Sequence, residues 1–326
     1  MLEGESEWLA AVVANLLDDN AKLVYADWLQ ERGDDRAAFV RGLVTASRTL
    51  SPSDFPEPDP GYPEEWLELI GYRLVERIAR SGHLELKEPA LRLARPALRM
   101  VKTETDDTQL GVGASKIGGM PDLPPGYSWP PGNECRAIYY EDTSHVKRLA
   151  GFIAQVNLAD VSHTQAARDL PRSGLLSFFC FQDMKNDNPD LIGAKAVYFP
   201  DTTGMLRAQP PKELTEGNHA MPAAQLTFVE TLDLPERSSG PWAGELEPKP
   251  GVDYADVLDF FREINFNNVL GYGRSTSGGD PTPSKDDRHL IVLENSAGCR
   301  LHIQIHKDDL AARDFDKIKL VWVDFD

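Results

Sequence analysis

The chain has 326 residues with 52 acidic and 34 basic side chains, which gives a formal net charge of −18 at pH 7. A chain this acidic repels a phosphate backbone, and no apolar run approaches the ~18 residues that span a bilayer, so we expect neither a nucleic-acid partner nor a membrane-spanning segment. The chain starts with the acidic run MLEGESE, which differs from the basic start of a secretory signal. It has three cysteines, Cys135, Cys180 and Cys299, and none has a neighbour at metal-ligand spacing. Both features favour a reducing, cytoplasmic location.

The first predicted unit is helical and runs from Ser6 to Ala46. Apolar residues recur there at helical spacing in three groups. Gly33 is suited to end the second helix, and Asp34 or Asp35 to begin the third. About 45 residues are marginal for independent stability, so we expect this unit to dock on a larger domain or on a partner.

Within this unit, the run from Leu23 to Arg41 carries three short motifs. They are YADWL (Tyr25 to Leu29), ERGD (Glu31 to Asp34), and Phe39 followed by Arg41. The run closely resembles the short bacterial repeat-companion domain that precedes otherwise unrelated proteins. The resemblance covers about residues 1–48 and implies an accessory module without an assigned reaction.

Residues 49–95 are predicted to form a proline-rich linker and an amphipathic helix. Prolines between Pro52 and Pro63 restrict the backbone, so the linker is semi-stiff. Apolar spacing from Trp66 to Ile78 predicts one helix that stops near Gly82. Basic residues scattered from Arg73 to Lys102 could form an anion-binding face, but we interpret them as a solvated helix face that offsets the acidic remainder.

Residues 96–326 show short β-like runs instead of helical periodicity. Only Tyr254 to Ile264 and Asp308 to Arg313 look helical, and strands do not alternate regularly with helices. This half is therefore predicted to be an α+β domain with mostly antiparallel sheet. The predicted strands are ALRMV, GFIAQVN, GLLSFFCF, KAVYFP, QLTFVET, HLIVLEN, CRLHIQI and KIKLVWV.

The strand CRLHIQIH alternates apolar and polar residues. This pattern predicts a buried face with Cys299, Leu301, Ile303 and Ile305, and a solvent face with Arg300, His302, Gln304 and His306. His302 and His306 would lie about 13 Å apart on such a strand, too far to share one metal ion. The acidic turn with Asp183, Asp187 and Asp190 lacks the spacing of a calcium loop, and we expect no metal site.

The segment Ser115–Pro130, SKIGGMPDLPPGYSWP, is the candidate binding surface. Its glycines and prolines predict an ordered loop, on which a ligand or partner could meet Lys116, Gly118, Gly119, Asp122, Tyr127 and Trp129. In the alternative interpretation, which we favour, Tyr127 and Trp129 clamp the loop onto the core. Lys116 does not have the spacing of a phosphate-binding loop, and no serine or cysteine has the local signature of a nucleophile, so we nominate no catalytic residue and no cofactor.

Beginning at this segment, the chain strongly resembles the YwqG-like family, a bacterial domain of unknown function. Ordered matches continue through FIAQVNLADV, LPRSGLLSFFCF, KAVYFPDTTGML, FVETLDLPE, LGYGRS and DDLAARDFDKIKLVW. The resemblance implies an α+β fold over about residues 96–326, with no accepted cofactor or catalytic residue. Related domains are associated with bacterial toxin immunity, which implies an immunity-like or antitoxin-like role.

Three functional hypotheses follow from these observations. The first is a non-catalytic cytoplasmic binding protein whose acidic surface meets a protein partner such as a basic toxin. The second is a small-molecule-binding enzyme or sensor with a pocket beside Ser115–Pro130. The third is a scaffold that is displayed through the helical segment from Trp8 to Val44.

Overall fold

The computed structural model describes residues 2–137, 149–182, 192–215, 221–235, 240–264, 268–273, 284–294 and 299–325. The fold is α+β, with a helical N-terminal part and a large antiparallel sheet, as predicted. No helix in the described ranges has the length and apolar character needed to cross a bilayer. The chain divides into two compact units, one comprising Met1–Arg99, Thr164–Ala166 and Val229–Phe266, the other Met100–His163, Ala167–Phe228 and Asn267–Asp326.

The described helices are α1 Glu5–Ala14, α2 Asp19–Glu31, α3 Arg36–Thr49, α4 Glu64–Leu69, α5 Tyr72–Ser81, α6 Lys87–Leu93, α7 Leu158–Val161, α8 Lys212–Thr215, α9 Ala255–Ile264 and α10 Lys307–Ala311. The described strands are β1 Arg95–Glu104, β2 Lys116–Ile117, β3 Asp122–Leu123, β4 Arg136–Ala137, β5 Gly151–Asn157, β6 Leu175–Gln182, β7 Ile192–Phe199, β8 Leu206–Arg207, β9 Ala224–Asp233, β10 Asn268–Val269, β11 Asp287–Glu294, β12 Cys299–His306 and β13 Lys319–Phe325.

The second helix ends and the third begins where the sequence predicts. Asp18 accepts hydrogen bonds from the backbone N–H groups of Asn20 and Ala21, at 2.9 and 3.3 Å, and so caps α2. Gly33 follows α2 with φ of +70°, a conformation that suits glycine. Asp34 then accepts the N–H of Arg36 at 3.0 Å, at the start of α3.

A buried polar network joins α1 to α4. Arg36 donates to Glu5 at 2.8 Å, Tyr25 donates to the same carboxylate at 2.5 Å, and the indole of Trp66 donates to the Tyr25 hydroxyl at 2.9 Å. Burial and the bond to Glu5 raise the pKa of Tyr25 far above its usual range, so the hydroxyl stays protonated. Tyr25 and Asp34, both in the motifs of the helical unit, therefore stabilise its packing.

The single helix predicted from Trp66 to Ile78 is two helices. Gly71 breaks it between α4 and α5 with φ of +81°, and a Cβ at this position would lie 3.5 Å from the methyl groups of Leu16 and Leu91. The turn lets both helices pack closely on their neighbours. The preceding proline-rich stretch also packs, because Pro56 accepts a hydrogen bond from the Tyr72 hydroxyl at 3.0 Å.

The basic residues between α4 and β1 bind partners within their own unit. Arg73 pairs with Glu64 at 2.5 Å, and Arg92 with Glu245 at 3.3 Å. Arg77 donates to the backbone carbonyls of Asp256 and Val257, at 2.5 and 3.3 Å. These contacts engage the basic side chains in packing within the first unit.

Eleven of the described strands form one sheet, in the order β13–β12–β11–β10–β1–β9–β2–β5–β6–β7–β4, and β3 pairs with β8 separately. Pairs β2–β9, β2–β5, β5–β6, β6–β7, β10–β11, β11–β12 and β12–β13 are antiparallel. All eight predicted strands are present. The sheet curls so that β13 also lies close to β4 and β7.

The prediction of a wet face on β12 was wrong. His302 and Gln304 are fully buried, and His306 is partly buried; the side chains of Cys299 and Arg300 lie outside the described residues. The ring of His302 lies 5.4 Å from the ring of His289 on β11. Because the curled sheet encloses one of its own faces, polar alternation here does not mark exposure to water.

Candidate functional site

The segment Ser115–Pro130 begins as a strand inside the sheet. In β2, Lys116 lies opposite Gln155 of β5 on one side and Gln225 of β9 on the other. The chain then turns away through Gly118 and Gly119, with φ of +67° and +69°. A Cβ on Gly118 would overlap the carbonyl oxygen of Pro222, and one on Gly119 would overlap the Asp107 carboxylate, so both positions require glycine.

Lys116 is fully buried and bound by acceptors. Its Nζ donates to Oδ1 of Asp107 at 2.7 Å and to the carbonyl of Met120, and lies 4.0 Å from Oδ2 of Asp122. Burial lowers the pKa of Lys116, and the two carboxylates oppose this effect. The ammonium group thus ties the start of the segment to its middle.

Asp122 is the centre of the network and is also 0% exposed. Its Oδ1 accepts from Nε of Arg207 at 2.9 Å, and its Oδ2 accepts from Nε2 of Gln155 at 2.7 Å and from the N–H of Gly113 at 2.8 Å. Burial by itself would raise the pKa of Asp122, but these bonds hold it below its usual range, so the group is ionised.

Arg207 closes the network on the other side. It donates to the backbone carbonyls of Asp107, Leu110 and Gly111 as well as to Asp122. The pairing of β3 with β8, which places Asp122 opposite Arg207, brings these residues together. Buried charges with this many partners hold a loop in a single conformation.

The aromatic residues of the segment pack on an apolar cluster. The ring of Tyr127 meets Phe199 edge to face at 5.1 Å, and that of Trp129 meets Phe179 in the same way at 5.9 Å. The indole N–H of Trp129 donates to the carbonyl of Ala150 at 2.5 Å. Both rings are partly buried against this cluster.

The structure therefore brings Lys116 and Asp122 together but uses Tyr127 and Trp129 in apolar packing. The sequence analysis missed three members of the network, Asp107, Gln155 and Arg207. Arg207 is 85 residues from Asp122, and Gln155 is 33 residues from it, so no local spacing could reveal them. The packing of Tyr127 against Phe199 and of Trp129 against Phe179 is that of the aromatic clamp that the sequence analysis favoured.

The metal-binding alternatives have no further support in the described residues. Across the described ranges, no three His, Cys, Asp or Glu side chains are grouped so that they could hold a metal ion. The acidic turn with Asp183, Asp187 and Asp190 lies outside those ranges. Cys135 and Cys180 are buried, and burial raises the pKa of the Cys135 thiol to about 12, so it is not a ready nucleophile.

Residues 115–323 match the family model described as a domain of unknown function, DUF1963. The chain belongs to this family. The match begins at Ser115, the first residue of the candidate segment, and includes Lys116, Asp122, Gln155 and Arg207 but not Asp107. No curated protein shows a significant match to the chain.

Proposed function

We propose that the chain is a non-catalytic protein-binding protein of the cytoplasm that acts on a basic protein in an immunity-like role. The observation that carries this proposal is the excess of acidic over basic side chains, 52 against 34. A surface of one sign steers a partner of the opposite sign and excludes partners of its own sign. A basic toxin is the kind of partner that such a surface fits.

The internal bonds of Lys116 and Asp122 support this proposal over a small-molecule enzyme or sensor. Both side chains are 0% exposed, and their charged atoms are bound within the network. Within the proposal, Lys116, Gly118, Gly119 and Asp122 shape the loop. Tyr127 and Trp129, which are only partly buried, are then the parts of the segment that a partner would touch.

Two finer assignments accompany this proposal and rest on the motifs alone. The DUF1963 region is YwqG-like, and residues 1–48 form a repeat-companion module. In the module, Tyr25 of the YADWL motif and Asp34 of the ERGD motif stabilise the packing of the helices. These contacts give a structural reason for the two residues to be part of the motifs.

Affinity capture from the native cell tests the proposal. The full chain is immobilised and exposed to extract at about 50 and about 150 mM salt, where screening lengths differ. An unrelated protein of equal negative charge serves as the control bait. We expect one basic protein to be retained by the chain and not by the control, and recovery of no such protein at either salt concentration contradicts the proposal.

A further inference from the structure

Two lysine side chains among the described residues are fully buried, and they differ in their partners. Lys116 is paired with the Asp107 carboxylate at 2.7 Å. Lys22 on α2 donates from Nζ to the backbone carbonyl of Leu16 at 2.6 Å, and within the described part of the chain no carboxylate oxygen lies within 4.0 Å of that nitrogen. A buried ammonium group is costly when no opposite charge accompanies it. Lys22 therefore lacks the counter-ion that Lys116 has.

Lys87, the first residue of α6, is a second cation of this kind in the first unit. Its Nζ donates to the backbone carbonyl of Ser47 on α3, and it forms no ion pair with any described residue. It interacts with Lys22 as a like charge. The Asp19 carboxylate is already engaged, because it pairs with Arg48 at 2.8 Å. Two neighbouring ammonium groups are thus each held by a neutral carbonyl.

This environment favours the uncharged form of the Lys22 amine. Burial lowers the pKa of Lys22 to about 8, and Lys87 adds to this effect, whereas Asp19 and Asp18 oppose it. The Asp18 carboxylate is occupied as the cap of α2. An uncharged lysine amine is a nucleophile, and burial is one of the ways in which proteins activate it.

We propose that Lys22 is a modification site at which carbon dioxide adds to the side-chain amine and forms a carbamate. The nitrogen lone pair forms a bond to the carbon, one C=O π pair moves onto oxygen, and the nitrogen releases one proton to solvent. The N–H that remains keeps its bond to the Leu16 carbonyl, and Lys87 then meets an anion instead of a like charge. Carbon dioxide is small and uncharged, and so it suits a nitrogen shielded from water better than a bulky or charged acyl donor does.

Labelling of the full chain with ¹³C bicarbonate at about pH 8 tests the proposal, since the Lys22 amine is then about half uncharged. Carbamates are trapped by ethylation, and mass spectrometry of peptides locates the label. Lys116, buried with its counter-ion, and Lys307, exposed and ion-paired, are controls within the same chain. Lys87→Gln removes the neighbouring cation, and Lys317→Gln makes the same change at an exposed ion pair in the second unit. Unfolding curves check that both variants keep their fold.

We expect about tenfold more label at Lys22 than at Lys116 or Lys307, because those two amines remain charged. Lys87→Gln should lower the label at Lys22 by about threefold or more, and Lys317→Gln should change it by less than about 1.5-fold. Absence of label at Lys22, or equal label at Lys22 and Lys307, overturns the proposal, and this comparison needs no variant. Label that Lys87→Gln leaves unchanged overturns the role given to the neighbouring cation. The proposed function does not depend on these outcomes, because the affinity capture decides it separately.

Discussion

At the scale of single residues, two glycines of the Ser115–Pro130 segment are needed for different reasons. One needs only a positive φ, and the other also has no room for a side chain. Gly118 and Gly126 both have positive φ, +67° and +78°. A Cβ on Gly118 would overlap the Pro222 carbonyl, whereas one on Gly126 would have no neighbour within 4 Å. Gly118 therefore serves the close approach of two backbones, and Gly126 only the turn.

This difference predicts unequal effects of the same substitution. Gly126→Ala should lower the free energy of unfolding by about 1 kcal/mol, the usual cost of a side chain at positive φ. Gly118→Ala should lower it by more than about 3 kcal/mol, because the Pro222 backbone must also move. Thermal unfolding of the two variants measures both changes. Equal losses would show that the Pro222 carbonyl does not restrict the side chain at position 118.

A second residue-scale prediction concerns Glu230 in the first unit. Its carboxylate accepts the N–H of Ala166 at 2.6 Å, and the neighbouring Gln165 donates to the carbonyl of Ser6 at 2.8 Å. Burial raises the pKa of Glu230 to about 7, against the opposing effect of the backbone N–H groups of Ala166 and Gln165. The raised value favours the protonated form in the folded state.

Because the folded pKa exceeds the unfolded one, the stability from Glu230 is fully present below about pH 4.5 and is lost as the pH rises through about 7. Glu230→Gln keeps an acceptor for Ala166 without a charge. It should therefore be more stable than the parent at pH 8, by about 1 to 3 kcal/mol. Chemical unfolding from pH 4 to 8 tests this, with exposed Glu57→Gln as the control; no gain at pH 8 would contradict the assignment.

The sequence predicted the candidate segment but not its chemistry. Gly118 and Gly119 indicated an ordered loop because glycine permits positive φ, and Tyr127 and Trp129 indicated packing because large rings are seldom left in water. The network around Asp122 was not predictable, since Gln155 and Arg207 reach it only through strand pairing. Contacts between distant parts of a chain leave no local pattern.

At the scale of elements, the long strands and the helices α9 and α10 were predictable, whereas the two-residue strands and the four-residue helices α7 and α8 were not. The eight apolar runs were recognisable as strands because they are rich in β-branched and aromatic residues and are separated by turn residues. Two-residue strands such as β2 and β3 are too short to show a period, and they are the elements that carry Lys116 and Asp122. The break at Gly71 was missed because apolar spacing continues across it.

The helical module offers a prediction about one buried ion pair. Arg36 joins α3 to Glu5 of α1, whose carboxylate is fully buried. Arg36→Met should lower the free energy of unfolding by about 3–5 kcal/mol, because a buried charge loses its partner. The double variant Glu5→Met with Arg36→Met should lose less than Arg36→Met alone.

Urea unfolding of the single and double variants measures these changes. Arg41→Met is the control, because it removes a more exposed ion pair with Asp27, 2.6 Å long, and should change stability by at most about 1 kcal/mol. If the double variant proved less stable than Arg36→Met, Glu5 would have a structural role beyond its ion pair.

At the scale of the whole molecule, the net charge of −18 separates the proposed partner from other classes. Composition alone predicted this property, because charge adds along the chain whatever the fold. The fold determines where the charges are free: the bases between α4 and β1 are bound by carbonyls and carboxylates, whereas Glu7 is left at the surface. A basic partner therefore meets carboxylates.

The dependence of affinity on salt tests this central claim most directly. The basic protein retained in affinity capture is titrated with the full chain by calorimetry at several salt concentrations between about 50 and about 300 mM, over which the screening length shortens more than twofold. Charge-driven binding predicts an affinity that falls steadily, by about tenfold or more over this range. An affinity that stays constant across the range would contradict the claim that the acidic surface selects the partner.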